Sequence, residues 1–360
     1  MTIVDVDLHD RSYTIQIGTD TLRSLGRYVN DWRRATHAVV ITDVNVEQPH
    51  AHTAAGSLLD AGTDVDVLVV EAGEQAKTVT MAEDLWERLL AVGADRKTVV
   101  VAVGGGVVGD LAGFVAASYA RGLAFVQVPT TLLAQVDSSV GGKVGVNLTG
   151  AKNMVGAFWQ PVGVLIDTAV LATLPEREYR SGLAEVVKYG VILDAEFFAY
   201  LEAHTAELAA RDATVLEHVI ARCCRLKADV VQADEREETG QRAVLNYGHT
   251  FCHALETVTG YGKYLHGEAV SIGMLCASRL AERLGRIDRK LTARQHKLLG
   301  ALGLPVDFPE VNHDALVAAM AHDKKVEHGR LRFVLPTELG HVELVGDVDE
   351  ADVREALAGL

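Results

Sequence analysis

Three segments in the second half of the sequence carry residues able to ligate a metal or move a proton. In Ala184-Glu185-Val186-Val187-Lys188, Glu185 and Lys188 are three apart and share a helix face among apolar neighbours. In Asn246-Tyr247-Gly248-His249-Thr250-Phe251-Cys252-His253, His249 and His253 are four apart and also share a face. Leu265-His266-Gly267-Glu268 places a third histidine ahead of a run of small residues. One carboxylate with two imidazoles is the ligand set of a catalytic zinc that keeps a position open for water or substrate. Spacing does not settle which two histidines ligate. His249 and His253 have the separation of an HExxH motif, but Thr250 stands where that motif carries its glutamate. A structural role is the simpler reading of each histidine alone, and the coincidence with Glu185 is what favours a metal.

A second chemical signal lies in the first half. Gly104-Gly105-Gly106-Val107-Val108-Gly109-Asp110 satisfies GxGxxG between a valine-rich run and a helical pattern. There the glycines let a pyrophosphate approach the backbone, and the helix N-terminus offers N–H donors. The acid usually found about 20 residues further on is missing, because Val128 is followed by Pro129-Thr130-Thr131. Asp43, at the end of an earlier strand, could hold a ribose hydroxyl instead. Twelve of the 33 glycines fall between Gly104 and Gly163, which suggests a ligand cradle for the cluster as a whole. A tight strand-to-helix turn with no ligand is the alternative.

Arg121, Lys143, Lys152, Lys188, Lys227 and Arg242 sit in or beside Gly- and Asn-containing stretches, settings suited to binding carboxylate or phosphate. Lys324-Lys325, near a chain turn, reads more simply as a charge pair. The whole chain is acidic, with 34 Lys and Arg against 49 Asp and Glu, a net −15. Such a field argues against duplex DNA or an anionic membrane as the main partner and still allows a small anionic substrate.

These groups need a scaffold, and the apolar pattern supplies one. Strand-like runs at His37–Thr42, Asp64–Val70, Thr98–Val103 and Ala124–Val128 alternate with helical spacing up to Asp60, over Thr80–Val92 and over Val107–Tyr119. That alternation implies a parallel sheet covered on both faces. After Asp167 the pattern is mainly helical, with a short strand pair over Arg332–Leu335 and His341–Val345. The predicted division is an α/β domain over 1–175 and a helical domain over 176–360. The notable uncharged stretch Leu123–Val136 is too short and too polar to cross a bilayer. Four cysteines without a CxxC pair are too few for a disulfide framework, so the expectation is a reduced, cytoplasmic protein.

Taken together, GGGVVGDLAGFVAASYARG (104–122), VPTTLLAQVDSSVGGKVGVN (128–147), AKNMVGAFWQP (151–161), LAEVVKYG (183–190), RAVLNYGHTFCHALE (242–256) and HGEAVSIGM (266–274) resemble the 3-dehydroquinate synthase family of sugar phosphate cyclases. The resemblance covers most of residues 40–335. It implies an N-terminal Rossmann-like α/β domain with a parallel sheet, a mainly α-helical C-terminal domain, and a homodimer.

The resemblance also implies roles. The metal, zinc or cobalt, would be held by Glu185, His249 and His266, leaving His253 for substrate. NAD would contact Asp43, Asn45, Glu74, Lys77, Gly105, Gly106, Val107, Asp110, Thr130, Thr131, Lys152 and Thr173. The sugar phosphate would contact Arg121, Asp137, Lys143, Asn153, Lys188, Lys227, Arg242, Asn246, His253 and one of Lys324 and Lys325, with Lys325 favoured. The implied reaction converts 3-deoxy-D-arabino-heptulosonate 7-phosphate to 3-dehydroquinate and phosphate, the second step of the shikimate pathway. It runs through transient oxidation by bound NAD, β-elimination of phosphate, re-reduction, ring opening and an intramolecular aldol closure. Cyclases making 2-deoxy-scyllo-inosose or an epi-valiolone are the nearest alternatives; their substrates lack the carboxylate that Lys227 and Arg242 would suit. A metal-dependent polyol dehydrogenase, which would release NADH, and a non-catalytic nucleotide-binding regulator are further alternatives.

Overall fold

Nearly every residue from Val99 to Gly104 is apolar, so this strand can be stable only where both of its faces are covered. In the structure, a computed structural model describing residues 1–260, 262–321 and 331–358, that is where it lies. Lys324 and Lys325 lie outside the described residues. By internal contacts the chain forms two units. The first is Met1–Pro175 with Leu216–Arg236, and the second is Glu176–Val215 with Glu237–Leu360. A single cut after residue 175 does not describe the return of Leu216–Arg236 to the first unit.

The first unit runs β1 (Thr2–Val6), β2 (Tyr13–Gly18), α1 (Leu25–Trp32), β3 (His37–Asp43), α2 (His52–Asp60), β4 (Asp64–Val70), α3 (Val79–Ala91), β5 (Val99–Gly104), α4 (Gly106–Ser118), β6 (Ala124–Pro129), β7 (Lys143–Leu148), β8 (Ala151–Phe158) and β9 (Gly163–Asp167). Seven strands form one sheet in the order β1-β2-β9-β6-β5-β3-β4. All neighbours are parallel except β1 and β2. The two-residue period of β5 divides its side chains between two cores. Val99, Val101 and Val103 pack with Leu25 and Val29 of α1 and Leu58 of α2. Val100 and Ala102 pack with Leu85 and Leu89 of α3 and Leu111 and Val115 of α4.

The expected parallel α/β architecture is present; β2 and β9 join its sheet without having been read from the apolar pattern, and two further additions also went unannounced. The first is the antiparallel edge strand β1, where only Val4 and Val6 face the interior and Ile3 is exposed. The second is the separate hairpin β7–β8, in which Gly145 pairs with Gly156. A Cβ on Gly145 would lie 2.6 Å from the Val155 carbonyl oxygen, so these glycines serve close backbone pairing. Gly109 and Gly113 likewise let α4 lie on β6 and β7, since Cβ atoms there would meet Gln127 at 2.9 Å and Val144 at 2.3 Å. Packing therefore accounts for Gly109, Gly113, Gly145 and Gly156 of the glycine cluster.

The second unit begins with α5 (Glu176–Leu193), directly after Pro175, and continues with α6 (Ala195–Ala203) and α7 (Thr205–Ala209). α8 (Ala213–Ala233) starts in this unit and ends in the first. Then come α9 (His249–Thr259), α10 (His266–Arg283), α11 (Arg289–Ala301), α12 (His313–Ala321), the antiparallel pair β10 (Phe333–Glu338) and β11 (His341–Val345), and α13 (Glu350–Ala358). The unit is mainly helical, as expected, and α5 and α10 each carry 13 buried residues. No described helix is long and apolar enough to cross a membrane. All four cysteines are buried and unbridged.

Asp167, 3% exposed at the end of β9, ties the start of the chain to the sheet. Its carboxylate accepts from the backbone N–H groups of Asp20, Leu22 and Ala169, each at 2.9 Å. Replacing it leaves three donors without their partner. Asp167→Ala is expected to cost about 2–4 kcal/mol, read as a lowered urea midpoint by circular dichroism; an unshifted midpoint would show the three bonds to be dispensable.

Candidate functional site

Glu185 lies in the middle of α5 with its side chain 1% exposed. Its Oε2 forms an ion pair with Lys188, one turn on and equally buried. Its Oε1 faces two imidazoles, with His249 Nε2 and His266 Nε2 each at 3.7 Å. Neither oxygen has a hydrogen bond of acceptable geometry. A separation of 3.7 Å is too long for a hydrogen bond and suits three donors converging on a shared cation with bonds of about 2.0–2.2 Å. Ligand atoms of Glu185, His249 and His266 all lie within 4.8 Å of one another. A buried carboxylate whose Oε1 faces two ring nitrogens therefore fits a divalent metal in composition and arrangement. His253 is outside this group; its ring stands edge-on to His249 with centroids 5.6 Å apart.

The sequence builds this convergence with backbone. Gly248, at φ +78°, turns the chain into α9, and a Cβ on Gly273 of α10 would lie 2.3 Å from its carbonyl oxygen. Gly267 brings the start of α10 against α5: its N–H donates to Ser181 Oγ at 3.0 Å, and a Cβ would fall 1.8 Å from the Ser181 carbonyl oxygen. Arg177 donates twice to Glu268, both at 2.7 Å, while Glu268 also accepts from the Leu265 N–H just before His266. His249 Nδ1 lies 3.1 Å from the Tyr247 carbonyl, which can only accept, so Nδ1 is the donor there and Nε2 is the nitrogen turned to Glu185. Arg242 is buried nearby in sequence, its Nε 3.8 Å from Glu237, and Asn246 is half-buried.

In the first unit the glycine turn joins β5 to α4 as expected, and Thr130 N–H donates to the Gly104 carbonyl at 2.9 Å. Gly105, Gly106 and Val107 are half-buried at the turn, and a Cβ on Gly105 would touch Thr131 at 3.0 Å. Asp43 accepts from the Asn45 N–H, and partial burial raises its carboxyl above the usual range. Lys77 donates both to Asp110 on α4 and to Asn153 on β8. Burial raises the Asp110 carboxyl in spite of the Lys77 ammonium. Lys227 donates to the Asp137 carbonyl at 2.7 Å and to its carboxylate at 2.9 Å. Thr173 Oγ1 contacts His50 Nε2 at 2.7 Å. Glu74, Arg121, Lys143 and Asn153 are exposed, and Lys152 is half-buried. Arg121 and Asn153 take positive φ, 68° and 55°, a conformation more demanding for the arginine than for the asparagine.

The chain matches the 3-dehydroquinate synthase N-terminal family over residues 67–181 and the C-terminal family over 182–326. It is 51% identical over 360 residues to the 3-dehydroquinate synthase of Rhodopirellula baltica, covering 98% of this chain and 96% of that one. The chain belongs to the 3-dehydroquinate synthase family. Solved structures of other sugar phosphate cyclases share its fold. A 2-deoxy-scyllo-inosose synthase complexed with carbaglucose-6-phosphate, NAD+ and Co2+ superposes with a TM-score of 0.91 at 30% identity, covering 99% of both chains. The 2-epi-5-epi-valiolone synthase of Streptomyces hygroscopicus subsp. jinggangensis 5008, with NAD+ and Zn2+ bound, gives 0.89 at 29% identity over 98% of both.

Within this member of the 3-dehydroquinate synthase family, sequence reasoning missed Asn147. Its side chain donates to Glu74 at 2.7 Å and accepts from the Asn153 N–H at 2.8 Å, and its own N–H donates to the Lys77 carbonyl at 2.9 Å. The available signal was an asparagine within a strand, where that residue is disfavoured. Gly267→Ala is expected to destabilise the protein by at least about 1–3 kcal/mol, because its Cβ must displace backbone. Gly346→Ala, where a Cβ meets nothing within 4 Å, serves as the control. Equal melting temperatures for the two variants would refute the close approach of α10 to α5.

Proposed function

We propose that this chain is a 3-dehydroquinate synthase, a carbon–oxygen lyase that converts 3-deoxy-D-arabino-heptulosonate 7-phosphate to 3-dehydroquinate and inorganic phosphate. The observation that carries the reading is the meeting of Glu185, His249 and His266 in a chain that matches 96% of the length of a relative in that family. Identity to the dehydroquinate synthase, at 51%, also exceeds that to the inosose synthase, at 30%.

Glu185, His249 and His266 would hold a zinc or cobalt ion, and the glycine turn with Asp43, Asn45, Glu74, Lys77, Asp110, Thr130, Thr131, Lys152 and Thr173 would hold NAD. When bound, the ion supplies Lewis acidity toward a substrate hydroxyl, and NAD supplies a reversible hydride acceptor. The chain's own residues bind and orient. Lys188, already beside Glu185, would turn part of its charge to a substrate oxygen. Arg242 and Lys227 would pair with the carboxylate, and Arg121, Lys143 and Asn153 would receive the phosphate and stabilise it as it leaves. Asp137 would hold Lys227 in place, as it does in the structure. Asn246 and His253 would bind ring hydroxyls, and Lys325 would complete the substrate set. The same reading makes the enzyme a cytoplasmic homodimer, in keeping with its four buried free thiols.

The test is incubation with the heptulosonate phosphate, NAD+ and Zn2+, following phosphate and absorbance at the NADH wavelength. Phosphate release that EDTA abolishes, with no accumulation of NADH, is the expected result. Steady NADH release would instead identify a dehydrogenase, and no phosphate would overturn the reading. Arg242→Ala is expected to weaken use of the carboxylated substrate by about 2–5 kcal/mol in kcat/KM, the cost of deleting one partner of a desolvated charge pair; unchanged kinetics would remove Arg242 from the substrate set.

A further inference from the structure

His266 is contacted at both ring nitrogens. Its Nε2 points to Glu185, and its Nδ1 lies 3.5 Å from Glu256 Oε1 and 3.8 Å from Cys252 Sγ. Glu256 lies on the same face of α9 as His249, seven residues on, and its side chain is 11% exposed. Cys252 lies between them on that face, with its thiol directed at the His266 carbonyl at 3.9 Å. One helix thus carries a candidate metal ligand and, two turns later, a carboxylate that touches the far side of another.

We propose that Glu256 is a positioning residue for the metal centre, holding the proton of His266 on Nδ1 so that the Nε2 lone pair is presented to the cation. A neutral imidazole carries one N–H, and the other tautomer would aim a bare Nδ1 lone pair at the Glu256 carboxylate. A carboxylate behind a ligating histidine fixes both tautomer and ring rotation and makes the ligating nitrogen more basic. The inference rests on the metal reading above. Cys252, Glu256 and His266 also cluster closely enough to form a second cation site, and the experiment separates the two.

Metal-free protein is titrated with Co2+ alone, reading stoichiometry, affinity by competition with a chromophoric chelator, and the visible ligand-field spectrum. NAD binding serves as the check on folding. For Glu256→Ala, one Co2+ per chain with affinity lowered about 10–100-fold and an altered spectrum is expected. Glu256→Gln, whose amide oxygen still accepts from Nδ1–H, should recover most of the affinity and the wild-type spectrum, which a merely structural role does not predict. Should the alanine variant fail to fold, Glu256→Gln is compared with Glu256→Leu, with the same order of affinities expected. Wild-type affinity and spectrum in the alanine or leucine variant would overturn the proposal. So would a second equivalent of Co2+ in the wild type that alone is lost in those variants. A wild-type protein that binds no Co2+ would remove the metal centre itself, whereas Co2+ binding without phosphate release would leave this inference standing and the proposed reaction refuted.

Discussion

A carboxylate removed from water must be met by positive charge, and Glu185 is the group on which the second unit's architecture turns. At 1% exposure it cannot rely on solvent, and Lys188 answers only one of its oxygens. The other is left facing two imidazoles. The ion pair balances the charge but leaves Oε1 without a hydrogen bond, a cost that a cation held by the three side chains would offset. The helices around it are held too closely to relax away. Gly267 and Gly273 bring α10 within backbone contact of α5 and of the turn before α9. Electrostatic need and steric closeness therefore act on the same three helices.

The first unit solves a different problem. Its sheet is apolar on both faces, and its polar groups collect at strand ends and in the loops that follow. Lys77 illustrates the economy of that arrangement, with one ammonium joining the loop after β4 to α4 and to the hairpin. Asn147 reinforces it by linking the same loop to both strands of the hairpin. Among the residues with candidate roles there, Lys77 is bonded to Asp110 and Asn153, Lys227 to Asp137, and Asp43 to the Asn45 N–H.

Most of the fold was legible because its strongest elements obey simple periodicities. β3, β5 and β6 are apolar runs ended by aspartate, glycine or proline, β4 finishes on Val67-Leu68-Val69-Val70, and α3 and α4 show helical spacing. β1 was harder to see, since an edge strand buries only alternate residues and five residues give little pattern. The hairpin was hidden by its glycines, which read as loop or cradle when their partners across the strand pair are unknown. At the candidate site the residue types were evident, but His253 and His266 could not be separated by spacing: the choice depends on how α10 docks, a tertiary fact. Glu256 was invisible for the same reason. It lies within a quoted motif, yet nothing in one dimension says that its carboxylate meets a histidine ten residues later.

The passage of α8 from one unit to the other has a consequence for how such a gene can be cut or recombined. The chain changes units at 175, at 215 and at 236, so neither half is encoded by one uninterrupted stretch. A fragment stopping at 175 would carry the whole sheet but lack Lys227 for Asp137, Cys224 for the Gln135 carbonyl and Glu235 for Arg11. Shuffling the two halves as cassettes would break those ties at every junction, which binds the inheritance of the dinucleotide-type fold to that of its helical companion.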